Sequence, residues 1–172
     1  MRTVLRKLAD EAGAEILEAA LVLPILFTFL LGIVWFGRAF NIYSTITQAA
    51  QQGVIAAARS TCATCGNAAN ATVITVIDGV LQASHLDPVQ IPVNSNLPTP
   101  TACPSPPAPA GGCTTTNNIT VCRSVILNPT GATDPVQCGA IVSFQYPFQF
   151  HVPFSSLNQI TLTAQAQTRM EN

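Results

Sequence analysis

An α+β fold is predicted, in which a long N-terminal helix crosses a membrane and continues into a small domain with a second helix and an antiparallel sheet of about three to four strands. Three observations carry this. No residue from Ala19 to Gly37 is charged. From Ala39 to Ala57 apolar residues recur at helical spacing beside a polar face. In the last third of the chain, apolar and polar residues alternate over two long runs, the period-two pattern of half-buried strands.

The uncharged run gives, at about 1.5 Å per residue, a helix of about 28 Å, close to the thickness of a hydrocarbon core. Backbone polar groups cannot stay unpaired in lipid, so the segment is expected to be helical throughout. Pro24 and Trp35 lie within this span, and Pro24 is expected to kink it, because the ring removes a hydrogen bond to the preceding turn. Arg2, Arg6 and Lys7 precede the run. By the positive-inside tendency they place the N-terminus in the cytoplasm and residues 38–172 outside. A cleaved secretory signal has a shorter apolar core followed by a small-x-small site; here the apolar run passes straight into a second helical stretch.

In that second stretch Ile42, Tyr43, Ile46, Ala49, Ala50, Gly53, Val54 and Ala57 form one stripe, and Asn41, Ser44, Thr45, Gln48, Gln51, Gln52 and Arg59 fill the other side. The helix is thus read as continuous over residues 14–60, transmembrane at 19–37 and amphipathic at 38–60, about 70 Å in all. Residues 1–13 form a cytoplasmic leader-like segment, and residues 61–172 an outer domain.

Charged residues make up 9% of the chain, against about 25% in an average soluble protein. After Ser60 the charges are Asp78, Asp87, Arg123, Asp134, Arg169 and Glu171. With a net charge of −1 and no basic patch, the chain offers no electrostatic footprint for nucleic acid.

Cys62, Cys65, Cys103, Cys113, Cys122 and Cys138 all fall on the outer side of the span. An even number confined to the exported part reads as a disulfide framework in an oxidising compartment. Short loops favour Cys62 with Cys65, Cys103 with Cys113, and Cys122 with Cys138. Zinc requires two ligand pairs at matched spacing; Cys62-x-x-Cys65 is one, and the other cysteines, His85 and His151 supply no second. No metal or cofactor is therefore expected. A thioredoxin-like role for Cys62 and Cys65 needs a βαβ setting, and here the motif follows a long helix, which makes it a structural clip.

In the outer domain Gly66 stops the long helix, and Asn67 caps a second helix reaching to about His85, with Ala71, Ile74, Ile77 and Leu81 on one stripe. The β-branched run Thr72–Ile77 would also suit a strand. Residues 88–110 form a proline-rich loop with a short edge strand at Ile91–Val93. Strands follow at Ile119–Val125, at Val142–Val152 with Phe144, Tyr146, Phe148 and Phe150 on one side, and at Ile160–Gln167. Pro147 marks the second of these as bulged or at an edge. The aromatic row is read as core packed on the stripe at residues 42–57, in preference to a ligand platform. Asn70-Ala-Thr72 and Asn118-Ile-Thr120 fit the glycosylation pattern and are read as chance matches. No paired carboxylates lie outside the membrane edge, no Gly-x-Ser-x-Gly or phosphate loop occurs, and His85 near Asp87 has no nucleophile beside it. The chain is not expected to be an enzyme.

Glu15 and Glu18 stand at the cytoplasmic edge of the span, where acidic groups favour the positive end of a helix and where a deeper carboxylate needs a partner. Gly13-Ala14 with Glu18 at the fifth position after the glycine, then an apolar helix with the early Pro24, resembles the N-terminus of type IV prepilins. The longer run from Glu18 through Gly32-Ile-Val-Trp-Phe-Gly-Arg-Ala-Phe40 to Gln48–Arg59 is similar to the TadE-like family, pseudopilins or minor pilin-like subunits of the tight-adherence (Flp-type) pilus machinery. Alanine follows Glu18 where the small Flp pilins have tyrosine, which fits the pseudopilin branch. The resemblance implies a pilin-like fold, a single-pass protein of the bacterial inner membrane with a periplasmic or extracellular head, and cleavage between Gly13 and Ala14 by a membrane-embedded prepilin peptidase. It also implies that Glu18 neutralises a free amine as helices of neighbouring pilin or pseudopilin subunits pack together in lipid. The competing reading is a signal-anchored envelope protein whose outer domain binds a ligand or surface, with the proline-rich loop as the candidate contact.

Overall fold

The computed structural model describes residues 2–62, 65–93, 100–104, 112–128, 135–149 and 159–169, with 2–14, 60–62 and 65–67 as backbone only. The chain divides into two compact units, Met1–Phe40 and Asn41–Asn172.

The first unit belongs to one helix, α1 (Arg2–Ala58), which already includes the leader-like segment. Pro24 lies inside it, and the Thr28 hydroxyl donates to the Pro24 carbonyl at 2.6 Å. The large apolar side chains from Ile16 to Phe36 are mostly exposed, Phe36 at 75%. A helix of this length and hydropathy, near the N-terminus, is apolar enough to cross a membrane.

In the second unit, α1 contributes its last turns, up to Ala58. A two-stranded hairpin follows, β1 (Ser60–Cys62) and β2 (Cys65–Asn67), whose register sets Cys62 opposite Cys65. The second helix, α2 (Asn70–Ala83), starts later than Asn67 predicts. Asn67 is the last residue of β2, and Ala69 stands at the cap without a side-chain hydrogen bond. A short 3₁₀ turn, Pro88–Gln90, precedes residues 91–93, which do not form the expected edge strand, and Ile91 is buried.

Four strands make the sheet: β3 (Gly112–Thr116), β4 (Ile119–Ile126), β5 (Cys138–Gln149) and β6 (Gln159–Arg169), antiparallel in sequential order. One face is the core. Ile119, Val121, Val142, Phe144, Tyr146 and Ala164 pack against Ile46, Ala49, Ala50, Val54 and Ala57 of α1 and Val73, Ile74, Ile77 and Leu81 of α2. The aromatic row is therefore core, as its alternation predicts; Phe150 and Val152 lie outside the described residues. Small residues on α1 let α2 approach closely: a Cβ at Gly53 would stand 2.7 Å from Ile77, too near without a shift of that side chain.

Pro147 is paired with Thr161 of β6, while the described pairing of β4 with β5 reaches only Ser143 on that side. The proline thus sits where β5 has one neighbour and no second donor is required. The register of β4 on β5 shifts between Cys122 and Val125, and Ser124 inside this bulge has φ 51°. The bulge turns Val125 onto the face of Cys122 and Ile141, where the three form a second small apolar cluster.

Two of the expected disulfides are corrected. Cys113 is bonded to Cys122 and Cys103 to Cys138, in place of Cys103 with Cys113 and Cys122 with Cys138. Loop length does not decide this; sheet register does. Cys113 and Cys122 are directly opposed on β3 and β4 with Cα atoms 3.9 Å apart, which removes both from other partners. The backbone at Thr101–Cys103 takes up the rest of the β4 edge. Cys103 N–H donates to Ser124 O at 2.8 Å, and Ile126 N–H to Thr101 O at 2.9 Å. That brings Cys103 within reach of Cys138, the partner of Ile126 on β5. The side chains of Cys62 and Cys65 lie outside the described ones.

Candidate functional site

The residues singled out on α1 occupy one continuous helix. Gly13 and Ala14 are part of its backbone, and Glu15 and Glu18 are exposed on it. A shallow apolar groove runs along the same helix, lined by Ile25, Thr28, Phe29, Gly32, Ile33 and Phe36. Glu18, Ile25, Phe29, Gly32 and Phe36 follow one another at seven, four, three and four residues, so the carboxylate stands at the head of the stripe that contains the groove. Gly32 opens it: a Cβ there would meet no atom within 4 Å. Small residues on a lipid-facing helix permit close approach of another helix. At the other end of the run the Arg38 guanidinium stands 6.0 Å from the Trp35 ring centroid, a cation–π distance. An aromatic–basic pair of this kind is suited to the membrane–water interface.

In the second unit several polar side chains hold elements together. Arg123 lies on the helix-facing row of β4 with Ile119 and Val121. Its Nη2 donates to Ala68 O at 2.7 Å and its Nε to Ala57 O at 3.3 Å, and Nη1 bonds Asn70 Oδ1. One guanidinium thus ties the end of α1, the β2–α2 connection and the start of α2 to the sheet. Burial lowers its pKa, but an arginine stays charged at any physiological pH, and the positive charge suits the Ala57 carbonyl at the C-terminal end of α1. Arg123→Met is expected to destabilise the fold by about 2 kcal/mol, the cost of leaving such carbonyls without a charged donor. Chemical unfolding of the solubilised chain measures this, and a loss of less than about 0.5 kcal/mol would remove Arg123 from this role.

The Tyr146 hydroxyl accepts from Asp87 N–H at 3.1 Å and donates to Asp87 O at 3.3 Å; burial is the main cause that raises its pKa. The Asp87 carboxylate accepts from Val89 N–H at 3.0 Å, capping the 3₁₀ turn. His85 has φ 59°, and the bonds Leu86 N–H to Leu81 O and His85 N–H to Gln82 O close α2 in the Schellman manner. The pair His85 and Asp87 is therefore engaged in ending a helix. Burial also raises the pKa of Asp78.

Neither sequon asparagine has an idle amide. Asn70 Nδ2 donates to Thr114 Oγ1 at 2.6 Å, and Asn118 Nδ2 to Ile91 O at 2.8 Å. Among the described residues no group of three or more His, Cys, Asp or Glu is placed to hold a metal ion. Sequence reasoning missed Arg123 as a tie between elements. The signal was present, since an arginine at the odd positions of β4 falls on the buried row.

Residues 13–54 match the family model described as TadE-like protein. This family is a structural, pilus-associated one, and the match points the chain to tight-adherence pilus assembly. It begins at Gly13 and takes in Glu18, the groove and the first turns of α1 that enter the core. No curated protein and no solved structure matches the chain.

Proposed function

We propose that the chain is a minor pilin or pseudopilin, a structural subunit of a tight-adherence pilus or of a related secretion system. It is inserted once in the bacterial inner membrane, with its N-terminus in the cytoplasm and residues 38–172 in the periplasm or beyond. A prepilin peptidase cuts between Gly13 and Ala14, and the new amine of Ala14 becomes the partner of Glu18 on a neighbouring subunit. The observation that carries the reading is the placement of Glu18 at the head of an uncharged, exposed helical stripe inside the segment that matches the TadE-like family.

The physical logic is one of pairing. A carboxylate at the rim of the hydrocarbon has few polar neighbours on its own helix, and it becomes favourable when another molecule brings a positive charge. The apolar stripe below it then packs by van der Waals contact, aided by the opening at Gly32. Catalysis has no part in this.

The test is capture of one tagged copy by a differently tagged copy from membranes. Glu18→Gln keeps the size of the side chain and removes its charge, and it is expected to lower capture about tenfold, equivalent to about 1.4 kcal/mol of lost pairing. The melting temperature of the outer unit should be unchanged. Capture undiminished by Glu18→Gln and by Glu18→Ala would refute the role of this carboxylate.

A further inference from the structure

We infer that the free edge of β6 is a second contact between copies of this chain, and that its occupant is the β3 edge of a neighbouring copy. The inference rests on the assembly reading above. β6 lies beside β5 in an unbroken register from Gly139↔Arg169 to Gln149↔Gln159, and among the described residues it pairs with no other strand. From Gln159 to Thr168 it contains no charge, proline or glycine. Proteins ordinarily blunt so long an edge with a lysine, a proline or a bulge, because its outward N–H and C=O groups are a template for another strand. β6 has no such device before Arg169. β3, at the opposite edge, is exposed at every position and uncharged.

Strand direction selects which edges meet. All neighbours in the order β3-β4-β5-β6 are antiparallel, so the two outer strands run in opposite directions. Pairing β6 with β6 antiparallel requires a two-fold axis perpendicular to the sheet. The α1 residues of the second unit pack on a face of that sheet, so this axis would point the Asn41 ends of the two copies in opposite directions, although each Asn41 is joined directly to Phe40 of a segment held in the same membrane. A copy displaced sideways without reversal instead presents β3 antiparallel to β6, and the Asn41 ends of the second units keep the same direction.

The chemistry of the two edges agrees. Threonines of β3 would face the threonines and glutamines of β6, pairs that hydrogen-bond across strands, and Arg169 would meet no cation. Four strands at about 4.8 Å set the second units of such copies roughly 19 Å apart.

The experiment uses the full chain in membranes. Copies carrying Thr163→Cys and copies carrying Thr116→Cys, with different tags, are co-expressed, checked for an unchanged melting temperature, and treated with a short bismaleimide that leaves the native disulfides closed. A covalent dimer bearing both tags, several-fold more abundant than the dimer from either variant alone, is the expected result. Thr163→Cys copies that join each other as readily, or no mixed dimer while copies still capture one another through α1, would overturn the edge contact and leave the assembly reading intact. Copies that neither crosslink nor capture one another would overturn both.

Discussion

Replacing Cys103 and Cys138 together by alanine lowers the stability of the outer unit by about 4 kcal/mol, the chain-entropy value for a closed loop of this length. The bond spans 35 residues of sequence and ties the Thr101–Cys103 backbone to β5 across the β4 edge. Cys113–Cys122 spans only 9 residues and joins strands already held by the Asn117–Asn118 turn and its ladder; its loop term is about 3 kcal/mol. The distinguishing readout is local. Without Cys103–Cys138, hydrogen exchange should quicken at the Cys103 and Ile126 amides, which bond across that edge. Without Cys113–Cys122 those two amides should stay protected. A loss below about 1 kcal/mol with both amides still protected would show that the segment is held by other contacts.

Gly139→Ala is the second large effect, about 3 kcal/mol of destabilisation. A Cβ at this position would collide with Thr168 O and stand 2.5 Å from Leu127 Cδ1. The leucine can turn away, but the carbonyl belongs to the backbone of β6, so the strand itself must retreat at the Gly139–Arg169 end of its pairing. Leu127→Ala is therefore expected not to rescue the variant. Full rescue in the double substitution, measured by chemical unfolding, would place the constraint on the side chain alone.

These two sites show what could and could not be read from the chain. The uncharged run Ala19–Gly37 and the stripe from Ile46 to Ala57 are patterns with a single periodicity, and the helix follows from them directly. The alternation around Phe144 and Tyr146, and that around Leu162 and Ala164, likewise marks one buried face. β3 was illegible for the opposite reason. Its residues are exposed at every position, so no apolar row distinguishes it, and the sign of a hairpin was the Asn117–Asn118 pair, both with positive φ, as a primed turn requires.

The disulfide partners were beyond sequence because they depend on register: that of β3 on β4 for Cys113–Cys122, and the seating of residues 101–103 on the β4 edge for Cys103–Cys138. The same holds for Gly139, which looks like any strand glycine until β6 is laid beside it. At the candidate site, the family resemblance of Gly13, Ala14 and Glu18 was visible in the residues, and the groove below Glu18 follows from helical spacing once Gly32 is noted. What a single chain does not contain is the positive partner of Glu18, since on the proposed reading that partner is the amine of another copy.

The most direct measurement is the intact mass of the natively expressed, membrane-purified chain. The proposal predicts a mature protein that begins at Ala14, with the amine freed for Glu18 of a neighbour. A chain that retains Met1 through Gly13 and yet captures its own copies as well as ever would contradict it.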